Sequence, residues 1–407
     1  MRDLPRLTAT THAISRPDLF ALLQRQAPLA FMRGSDGVIG IGTAFRADFS
    51  GADRILDAAS TWDSLCDQSQ ENGDYDTPGT GLTAFGAMSF ASDSSAKSTL
   101  LVPKVVVGTR GDFHWMTKVQ IAGEAAPAEP QATPLQSRPQ LELVPGSIGP
   151  EAYTAAVAAA VSAITSGQAE KLVIARDLSA RWPADADLRA VLRSLNSSYP
   201  TAITYAVDGV FGATPETLVR AEHGEFHARV LAGTAARNHQ GQSRAEQELV
   251  TNLKNQREHA FAVDSAVDAL AGLIDVRPEG PFVLELPNVL HLATDLRGTM
   301  AQTRMLDLVN ALHPTAAVAG TPRSRALELI QSIEQIDRRR YAGPVGWMDS
   351  RGNGEWAIAL RGAELHEGRV RAFAGAGIVA DSDPQEELTE TAAKFRPILG
   401  ALGRAFE

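Results

Sequence analysis

The sequence contains a single cysteine among its 407 residues, Cys66, so an internal disulfide is excluded. It has no cluster of cysteines and histidines of the kind that forms a structural zinc site. It also lacks a run of about 20 apolar residues, the length that a membrane-spanning helix needs. Basic residues are not in excess, because the formal net charge is −10. This charge argues against nucleic acid or an anionic membrane as the main partner, since both attract basic surfaces.

The composition is that of an ordinary soluble globular protein, with 44% hydrophobic and 21% charged residues. The first residues lack the apolar run of a secretory signal, and one cysteine fits a reducing compartment, so we expect a cytoplasmic location. The length would permit two or three domains. A proline-rich stretch at residues 123–139 predicts an exposed loop between two halves of the sequence.

The spacing of apolar residues predicts helices and strands in mixed order. Helical spacing occurs at residues 151–166 and 244–274, whereas short strand-like runs occur at 37–42, 100–108, 171–175 and 356–361, the last closed by Arg361. Several strands are joined by short turns at Gly209, at His223-Gly224 and at residues 350–354. This pattern favours an α+β protein with large antiparallel sheets over a doubly wound parallel sheet.

A helix that starts at Asp383 carries the most informative side chains. Asp383 can cap the helix and Pro384 fits its first position. Glu387, Glu390 and Lys394 follow at i, i+3 and i+7 and therefore share one face. Two carboxylates one turn apart repel each other unless a cation lies between them or one is protonated. The alternative is a solvated helix face on which Glu390 and Lys394 form an ordinary ion pair.

Other residues suggest a site for a small anion. The small residues at 373–378 follow a strand-like run and leave backbone amides exposed near the helix start, where anions bind. Lys171 begins a buried strand, and it is either a lysine whose amine reaches solvent or a desolvated general base. Glu216 lies in a turn and, taken alone, is a surface residue. His291 lies in an apolar strand, where a histidine more often belongs to the core than to a site.

The joint order of these motifs is more specific than any one of them. It resembles that of the chorismate-utilising enzymes, which are the isochorismate, salicylate, anthranilate and aminodeoxychorismate synthases. The resemblance covers about residues 150–403 and depends on Lys171, Pro215-Glu216, residues 232–234, Glu258-His259, His291, residues 313–322, 341–346, 359–361 and 374–378, Glu387, Glu390 and Lys394.

The resemblance implies the α/β sandwich of the anthranilate synthase family, with two large packed antiparallel sheets and helices outside. Residues 1–149 would form the variable first part of this fold, and residues 150–407 the chorismate-binding catalytic region. Mg²⁺ would lie between Glu258 and Glu390, with Glu387 close by or acting through water. Residues that the resemblance assigns to substrate binding are Gly233, Thr234, His291, Ala317, Tyr341, Leu360, Arg361, Gly375, Ala376, Gly377 and Lys394. No obligate protein partner is expected.

One position departs from the family pattern. The family usually has an acid three residues before its helix glutamate, and this chain has Asn255. Asn255 therefore puts an outer-shell ligand of the metal in doubt, but it does not put the metal site itself in doubt.

Three positions distinguish the activities within the family. Lys171 stands where ammonia-adding synthases have glutamine, and Ala232 stands where aminodeoxychorismate synthases have a nucleophilic lysine. Salicylate synthases commonly have threonine at the position of Ala317. The resemblance therefore implies an isochorismate synthase, in which Lys171 takes a proton from water attacking C2 and Glu216 protonates the departing C4 hydroxyl.

Two other activities stay open as alternatives. One is a salicylate synthase that releases pyruvate, and the other is a silent chorismate-binding protein, which would need a lost catalytic residue or metal ligand. The first third of the chain resembles isochorismate synthases of the menaquinone pathway more than those of siderophore pathways, which stay open as the alternative.

Overall fold

The computed structural model describes residues 4–73, 75–236, 249–285 and 289–403, without the side chains of residues 232–236, 253–255, 258, 285 and 289. The helices in these ranges are α1 (Leu19–Leu22), α2 (Arg54–Asp67), α3 (Pro150–Thr165), α4 (Leu188–Ser198), α5 (Leu253–Leu270), α6 (Met305–Leu312), α7 (Arg323–Glu334) and α8 (Pro384–Ala401). No helix formed by the described residues is both long and apolar enough to cross a lipid bilayer.

The strands are, in chain order, β1 (Leu7–Ala13), β2 (Leu29–Arg33), β3 (Asp36–Ile41), β4 (Phe45–Phe49), β5 (Gln70–Asn72), β6 (Thr83–Ala87), β7 (Ser98–Val102), β8 (Val105–Arg110), β9 (Phe113–Ile121), β10 (Val144–Pro145), β11 (Lys171–Arg181), β12 (Ile203–Val207), β13 (Val210–Thr214), β14 (Thr217–Glu222), β15 (Glu225–Ala236), β16 (Val276–Glu285), β17 (Val289–Thr299), β18 (Gly320–Thr321), β19 (Pro344–Asp349), β20 (Gly354–Ile358), β21 (Gly362–His366) and β22 (Arg369–Ile378).

These strands form two large sheets. The first has 13 strands in the order β10-β11-β22-β21-β13-β12-β2-β3-β8-β9-β1-β5, and β18 pairs with β11 beside this path. The second has nine strands in the order β16-β17-β15-β14-β20-β19-β6-β7-β4. Among the described strands β1 and β5 form the one parallel pair, and the other pairs are antiparallel. The predicted α+β architecture with two large antiparallel sheets is therefore confirmed.

The two sheets pack face to face through a layer of apolar side chains. Phe31, Trp115 and Tyr205 from the first sheet meet Phe85 and Trp347 from the second in one buried cluster. Helices α4 and α8 cover the outer face of the first sheet, whereas α2 and α6 belong to a separate cluster beside the second. Burying a large apolar side chain stabilises the fold by about 1.5–3 kcal/mol, so these layers hold the framework on which the candidate site is built.

The predicted hairpin turns are present. Asp208 and Gly209 connect β12 to β13 with φ of 48° and 87°, and His223 and Gly224 connect β14 to β15 with φ of 51° and 79°. Two successive positive φ angles are typical of the tight turns that match the twist of antiparallel strands.

Three predicted element boundaries were wrong. The run at residues 100–108 is split between β7 and β8, which belong to different sheets, because Pro103 between them has no amide hydrogen for a strand ladder. Helix α5 ends at Leu270 and not at the predicted residue 274, whereas residues 244–248 at the predicted start lie outside the described residues. Strand β20 ends at Ile358, and Arg361 lies in the following turn with φ of 51°.

Strand β11 is longer than predicted because its charged residues Arg176 and Asp177 have hydrogen-bond partners inside the protein. Arg176 donates to Thr391 Oγ1 at 2.7 Å, and its guanidinium lies 5.0 Å from the centre of the Phe395 ring. Asp177 accepts hydrogen bonds from the amides of Ser147 and Ile148 at 3.1 and 2.9 Å. Both residues are buried, so the strand continues past the apolar run to Arg181.

We expect Asp177→Ala to lower the free energy of unfolding by about 3 kcal/mol, because it leaves two amides and Arg371, which donates to Asp177 at 2.6 Å, without their acceptor. Urea unfolding would measure this change. As a control, Glu328→Ala removes an exposed ion pair with Arg325 and should cost less than about 0.5 kcal/mol. Equal losses in the two variants would contradict the structural role given to Asp177.

Candidate active site

Lys171 lies at the beginning of β11, where this strand meets β18 and β22. Its backbone pairs with Thr321, and Val173 pairs with Gly377. A Cβ added to Gly377 would lie 2.9 Å from Cε of Lys171, so the glycine leaves the space through which the lysine side chain extends. Lys171 is half-buried. The strand therefore fixes the backbone of Lys171, and its amine lies close enough to Glu216 to interact with it electrostatically.

Glu216 lies in the connection between β13 and β14, and its backbone is held at both ends. Its amide donates to Thr214 Oγ1 at 3.2 Å, and its carbonyl accepts from the amide of Ile358 at 3.0 Å. Burial raises the pKa of the Glu216 carboxyl, although the positive charges of Arg361, Lys171 and Lys394 oppose this rise. A carboxylic acid with a raised pKa stays protonated nearer neutral pH and can serve as a proton donor.

Glu216 also lines a cavity of about 260 Å³. Ala317, which is exposed, and Thr321 line it from the loop between α6 and α7, and Phe261 lines it from α5. The remaining wall is largely apolar and includes Leu218, Val230, Leu231, Leu312 and Pro314. The cavity therefore combines an apolar wall with a half-buried acid, as sites for small organic molecules commonly do.

The face of α8 carries the predicted carboxylates. Asp383 caps the helix by accepting from the amides of Gln385 and Glu386 at 2.8 and 3.0 Å, as predicted. Oε1 of Glu390 lies 2.5 Å from Nζ of Lys394, which also donates to the Gly375 carbonyl at 2.8 Å. Lys394 thereby links the helix to β22. The ion pair that we considered as an alternative is present, and it coexists with the carboxylate pair.

Glu387 has an unpaired oxygen of the kind that a divalent cation would satisfy. Its Oε1 accepts from the Ser382 hydroxyl at 2.7 Å, whereas its Oε2 is buried without a hydrogen-bond partner. The Tyr153 hydroxyl is also buried without a partner. Burial raises the pKa of Glu387, and the charge of Glu390 raises it further. A hydrated Mg²⁺ would supply both a positive charge and waters for these oxygens, so the residues fit the ion.

The described residues do not complete a metal site by themselves, since no three of their acidic, histidine or cysteine side chains form a metal-binding group. The side chain of Glu258, the third predicted ligand, lies outside the described residues, as do those of Ala232, Thr234 and Asn255. Gly233 falls in the same undescribed part of β15. The roles predicted for these residues stay predictions.

Helix α5, which carries Glu258, is anchored to the second sheet by a buried contact. Nε2 of His259 lies 2.7 Å from the hydroxyl of Thr294 in β17, and both residues are about 3% exposed. His291 is half-buried in the same strand, opposite Thr234 of β15. Thr294 could not be singled out from the sequence, because a threonine in a strand needs no functional explanation.

The segment at residues 373–378, which was predicted to follow a strand, continues that strand as the second half of β22. Ala376 pairs with Ile174 of β11. On the other edge, pairing with β21 ends at Ala372, and there the Gly375 carbonyl accepts from Lys394. Because alternate residues of a strand point their backbone groups to opposite edges, Gly375 and Gly377 direct their amides away from β11. The small side chains therefore still leave an accessible edge beside α8.

Tyr341 and the turn at residues 360–361 complete the arrangement. The Tyr341 ring stacks on Phe373 with centroids 5.1 Å apart, and its hydroxyl lies near the backbone of Gly375. Burial raises the pKa of Tyr341, so its hydroxyl stays neutral and can donate a hydrogen bond. The Leu360 carbonyl accepts from the Tyr205 hydroxyl at 3.0 Å, and this bond fixes the turn that holds Arg361.

The sequence analysis did not identify the buried ion pair of Glu334 and Arg338, which lies beneath β11. Their i, i+4 spacing was visible in the sequence, but the same spacing occurs on many exposed helices. The signal that separates this pair from an exposed one is burial, which depends on the tertiary structure.

A family model and a curated relative both identify the same family. A family model described as chorismate binding enzyme matches residues 3–403. The isochorismate synthase MenF of Bacillus subtilis is 34% identical over 257 residues, which cover 61% of this chain and 55% of that protein. The matched region thus spans about half the length of this relative.

Two solved structures share the fold. MenF of Escherichia coli, the menaquinone-specific isochorismate synthase, has a TM-score of 0.78 at 22% identity, with 98% of this chain and 96% of that chain covered. Anthranilate synthase component I of Streptococcus pneumoniae has a TM-score of 0.71 at 21% identity, with 93% and 94% covered. The predicted fold of the anthranilate synthase family is confirmed.

Proposed function

Because this chain belongs to the chorismate-binding enzyme family, we propose that it is an isochorismate synthase that converts chorismate reversibly to isochorismate. The observation that carries this proposal is the half-buried acid Glu216, whose pKa is raised by desolvation and which interacts electrostatically with Arg361, Lys171 and Lys394. A base and an acid held near one cavity are what an exchange of a hydroxyl group between two ring carbons requires.

The proposed reaction needs two proton transfers. Lys171, in its neutral form, takes a proton from a water molecule as the water oxygen bonds to C2. The ring double bonds then shift, the C4–O bond breaks, and Glu216 protonates the leaving hydroxyl to release water. Lys171 ends protonated and Glu216 ionised, so the reverse reaction starts from the same two groups in exchanged roles.

The substrate carries two carboxylates, and the site offers groups for both. We propose that Tyr341, Arg361 and the edge amides of Gly375 and Gly377 bind the enolpyruvyl carboxylate. Glu387 and Glu390, with Glu258, would hold a Mg²⁺ ion, which when bound supplies positive charge for the ring carboxylate. The unpaired Oε2 of Glu387 supports this assignment.

Lys394 and the second sheet would complete the ring-carboxylate side of the site. We propose that Lys394, whose amine is held between Glu390 and Gly375, lies near the ring carboxylate together with Gly233 and Thr234. His291 would lie along the ring. Residues 1–149 would contribute framework rather than reacting groups, because the proposed catalytic residues lie beyond residue 150. A cytoplasmic location and the menaquinone pathway, with a siderophore pathway as the alternative, belong to the same proposal.

The expected product is an equilibrium mixture of chorismate and isochorismate near neutral pH, with salicylate at most a slow trace. Salicylate formation requires the C2 hydrogen to reach the side chain in a compact arrangement, which the pocket shape can favour or discourage. Ala317 borders the cavity with a small side chain that has no hydroxyl. Val318, Leu360 and Phe373 would line the same region.

Incubation with chorismate and Mg²⁺, followed by chromatographic identification of the product, tests the proposal. A lactate-dehydrogenase-coupled assay reports pyruvate in the same samples. Pyruvate formed at the rate of chorismate loss, without isochorismate, would instead identify a salicylate synthase. Unchanged chorismate would contradict both activities and favour a silent binding protein.

A further inference from the structure

A buried ion pair lies between the strand that begins at Lys171 and the loop that carries Ala317. Glu334 is the last residue of α7, and Arg338 follows four residues later. Nε and Nη2 of Arg338 donate to the two carboxylate oxygens of Glu334 at 2.9 and 2.5 Å. The two side chains are only 2% and 1% exposed, so water does not screen their charges.

Both members of the pair bind the backbone of β11, and Arg338 also binds the backbone of the loop. Oε1 of Glu334 accepts from the Ala175 amide at 2.7 Å, and Nη2 of Arg338 donates to the Val173 carbonyl at 2.6 Å. Nη1 of Arg338 donates to the Val318 carbonyl at 2.8 Å. The Arg338 guanidinium therefore donates hydrogen bonds to two segments. One acceptor, Val173, lies two residues after Lys171 in β11, and the other, Val318, lies one residue after Ala317 in the loop.

The planar guanidinium sets the geometry of this connection. Its donors form a rigid fork, so the two carbonyls it binds are held at a fixed separation and angle. The Phe90 ring packs 4.6 Å from the guanidinium carbon and closes this environment. A backbone hydrogen bond from the Val173 amide to the Ala319 carbonyl, at 2.8 Å, joins the same two segments.

Stability alone is a weak reason for such a pair. Removing two charges from water costs several kcal/mol, and apolar residues of similar volume often stabilise a core as well or better. The arrangement is better explained by the relative position it imposes on the two segments that border the candidate site.

We infer that Arg338 and Glu334 are positioning residues that hold the Lys171 strand at a fixed distance from the Ala317 loop. This inference rests on the proposed function, in which the substrate ring lies between these two segments. Because an error of about 1 Å in the placement of reacting groups can cost roughly 10²-fold in rate, the pair would act on the chemical step more than on substrate binding.

The variant Arg338→Lys tests this role, because lysine keeps the charge but lacks the fork that reaches Glu334, Val173 and Val318 together. We expect kcat for chorismate to fall by about 10- to 100-fold while the dissociation constant for chorismate changes by less than about threefold. Steady-state kinetics and equilibrium titration separate the two quantities. A weaker affinity with unchanged kcat would overturn the inference.

A matched control is available in the pair of Arg189 and Asp187. Its nitrogen–oxygen distance is 2.7 Å and its side chains are 3% and 0% exposed, but it lies at the start of α4, on the outer side of the first sheet. Arg189→Lys should lower the unfolding temperature as Arg338→Lys does, with kcat unchanged. If both variants lose kcat in proportion to their loss of stability, the role of Arg338 is merely structural.

Hydrogen exchange gives a readout that does not depend on the reaction. In Arg338→Lys we expect faster exchange in residues 171–176 and 315–320, with unchanged protection in the same segments of Arg189→Lys. If the wild-type protein leaves chorismate unchanged, the proposed function is wrong, but this exchange pattern still decides the positioning role. Unaltered exchange in both segments of Arg338→Lys would overturn it.

Discussion

Turnover of chorismate is expected to stop in excess EDTA and to return when Mg²⁺ is added. Two carboxylates on one face of α8 are close enough for the charge of Glu390 to raise the pKa of Glu387, and Oε2 of Glu387 is buried without a partner. Mg²⁺ would relieve this repulsion, because it prefers carboxylate oxygens as ligands and keeps several of its waters.

The variants Glu387→Gln and Glu390→Gln should remain folded but lose activity, since an amide removes the negative charge that binds the ion. Calorimetric titration with Mg²⁺ should show weaker binding in both, independently of any activity. Glu386→Gln is a suitable control, because Glu386 is exposed in the same turn of α8 and is not among the proposed ligands. Full activity in excess EDTA would remove the metal from the mechanism.

Replacing either proton-transfer residue is expected to produce the second large effect. General acid or base catalysis is typically worth about 10²–10⁴-fold, so Lys171→Ala and Glu216→Gln should each lower kcat by at least about 10²-fold. Chorismate should still bind, because neither residue is proposed to hold a carboxylate. Glu170→Gln, at an exposed neighbour of Lys171, provides the control. Lower affinity with unchanged kcat would show that Lys171 and Glu216 bind substrate instead.

The pH dependence gives a separate test of Glu216. Burial raises its pKa, while Arg361, Lys171 and Lys394 oppose the rise. An acid must be protonated to donate, so its contribution is present below this pKa and is lost as the pH rises through it. The corresponding fall in kcat with rising pH should be absent from the residual activity of Glu216→Gln. An identical profile in the wild type and in Glu216→Gln would assign the fall to another group.

Local signals predicted much of the framework. Tight turns at Asp208-Gly209 and His223-Gly224 and the cap at Asp383 depend on neighbouring residues, so they were visible in the sequence. The family resemblance indicated two packed sheets, but the order of the strands within them was not predicted, because it is set by contacts between distant residues. The full length of β11 depends on the hydrogen-bond partners of Arg176 and Asp177. These partners lie elsewhere in the chain, so no local pattern indicates them.

Some residues of the candidate site were likewise predicted from local spacing, and others were not. Spacing on one helix face identified Glu387, Glu390 and Lys394, because that geometry is local. Lys171 had two explanations from its place in a buried strand, a lysine reaching solvent or a general base, and Glu216 became a candidate only through the resemblance. The positioning role of Arg338 could not be predicted, because it depends on burial and on carbonyls at Val173 and Val318.

The interleaved strand order has a consequence for how the chain folds during synthesis. Strand β2 pairs with β12 and β6 pairs with β19, so strands made early have neighbours made much later. Until Pro344–Asp349 leave the ribosome, one edge of β6 has no partner, and unpaired edges promote aggregation. Contacts between such distant residues also slow folding. The early strands of the nascent chain therefore keep unpaired edges until the second sheet can close.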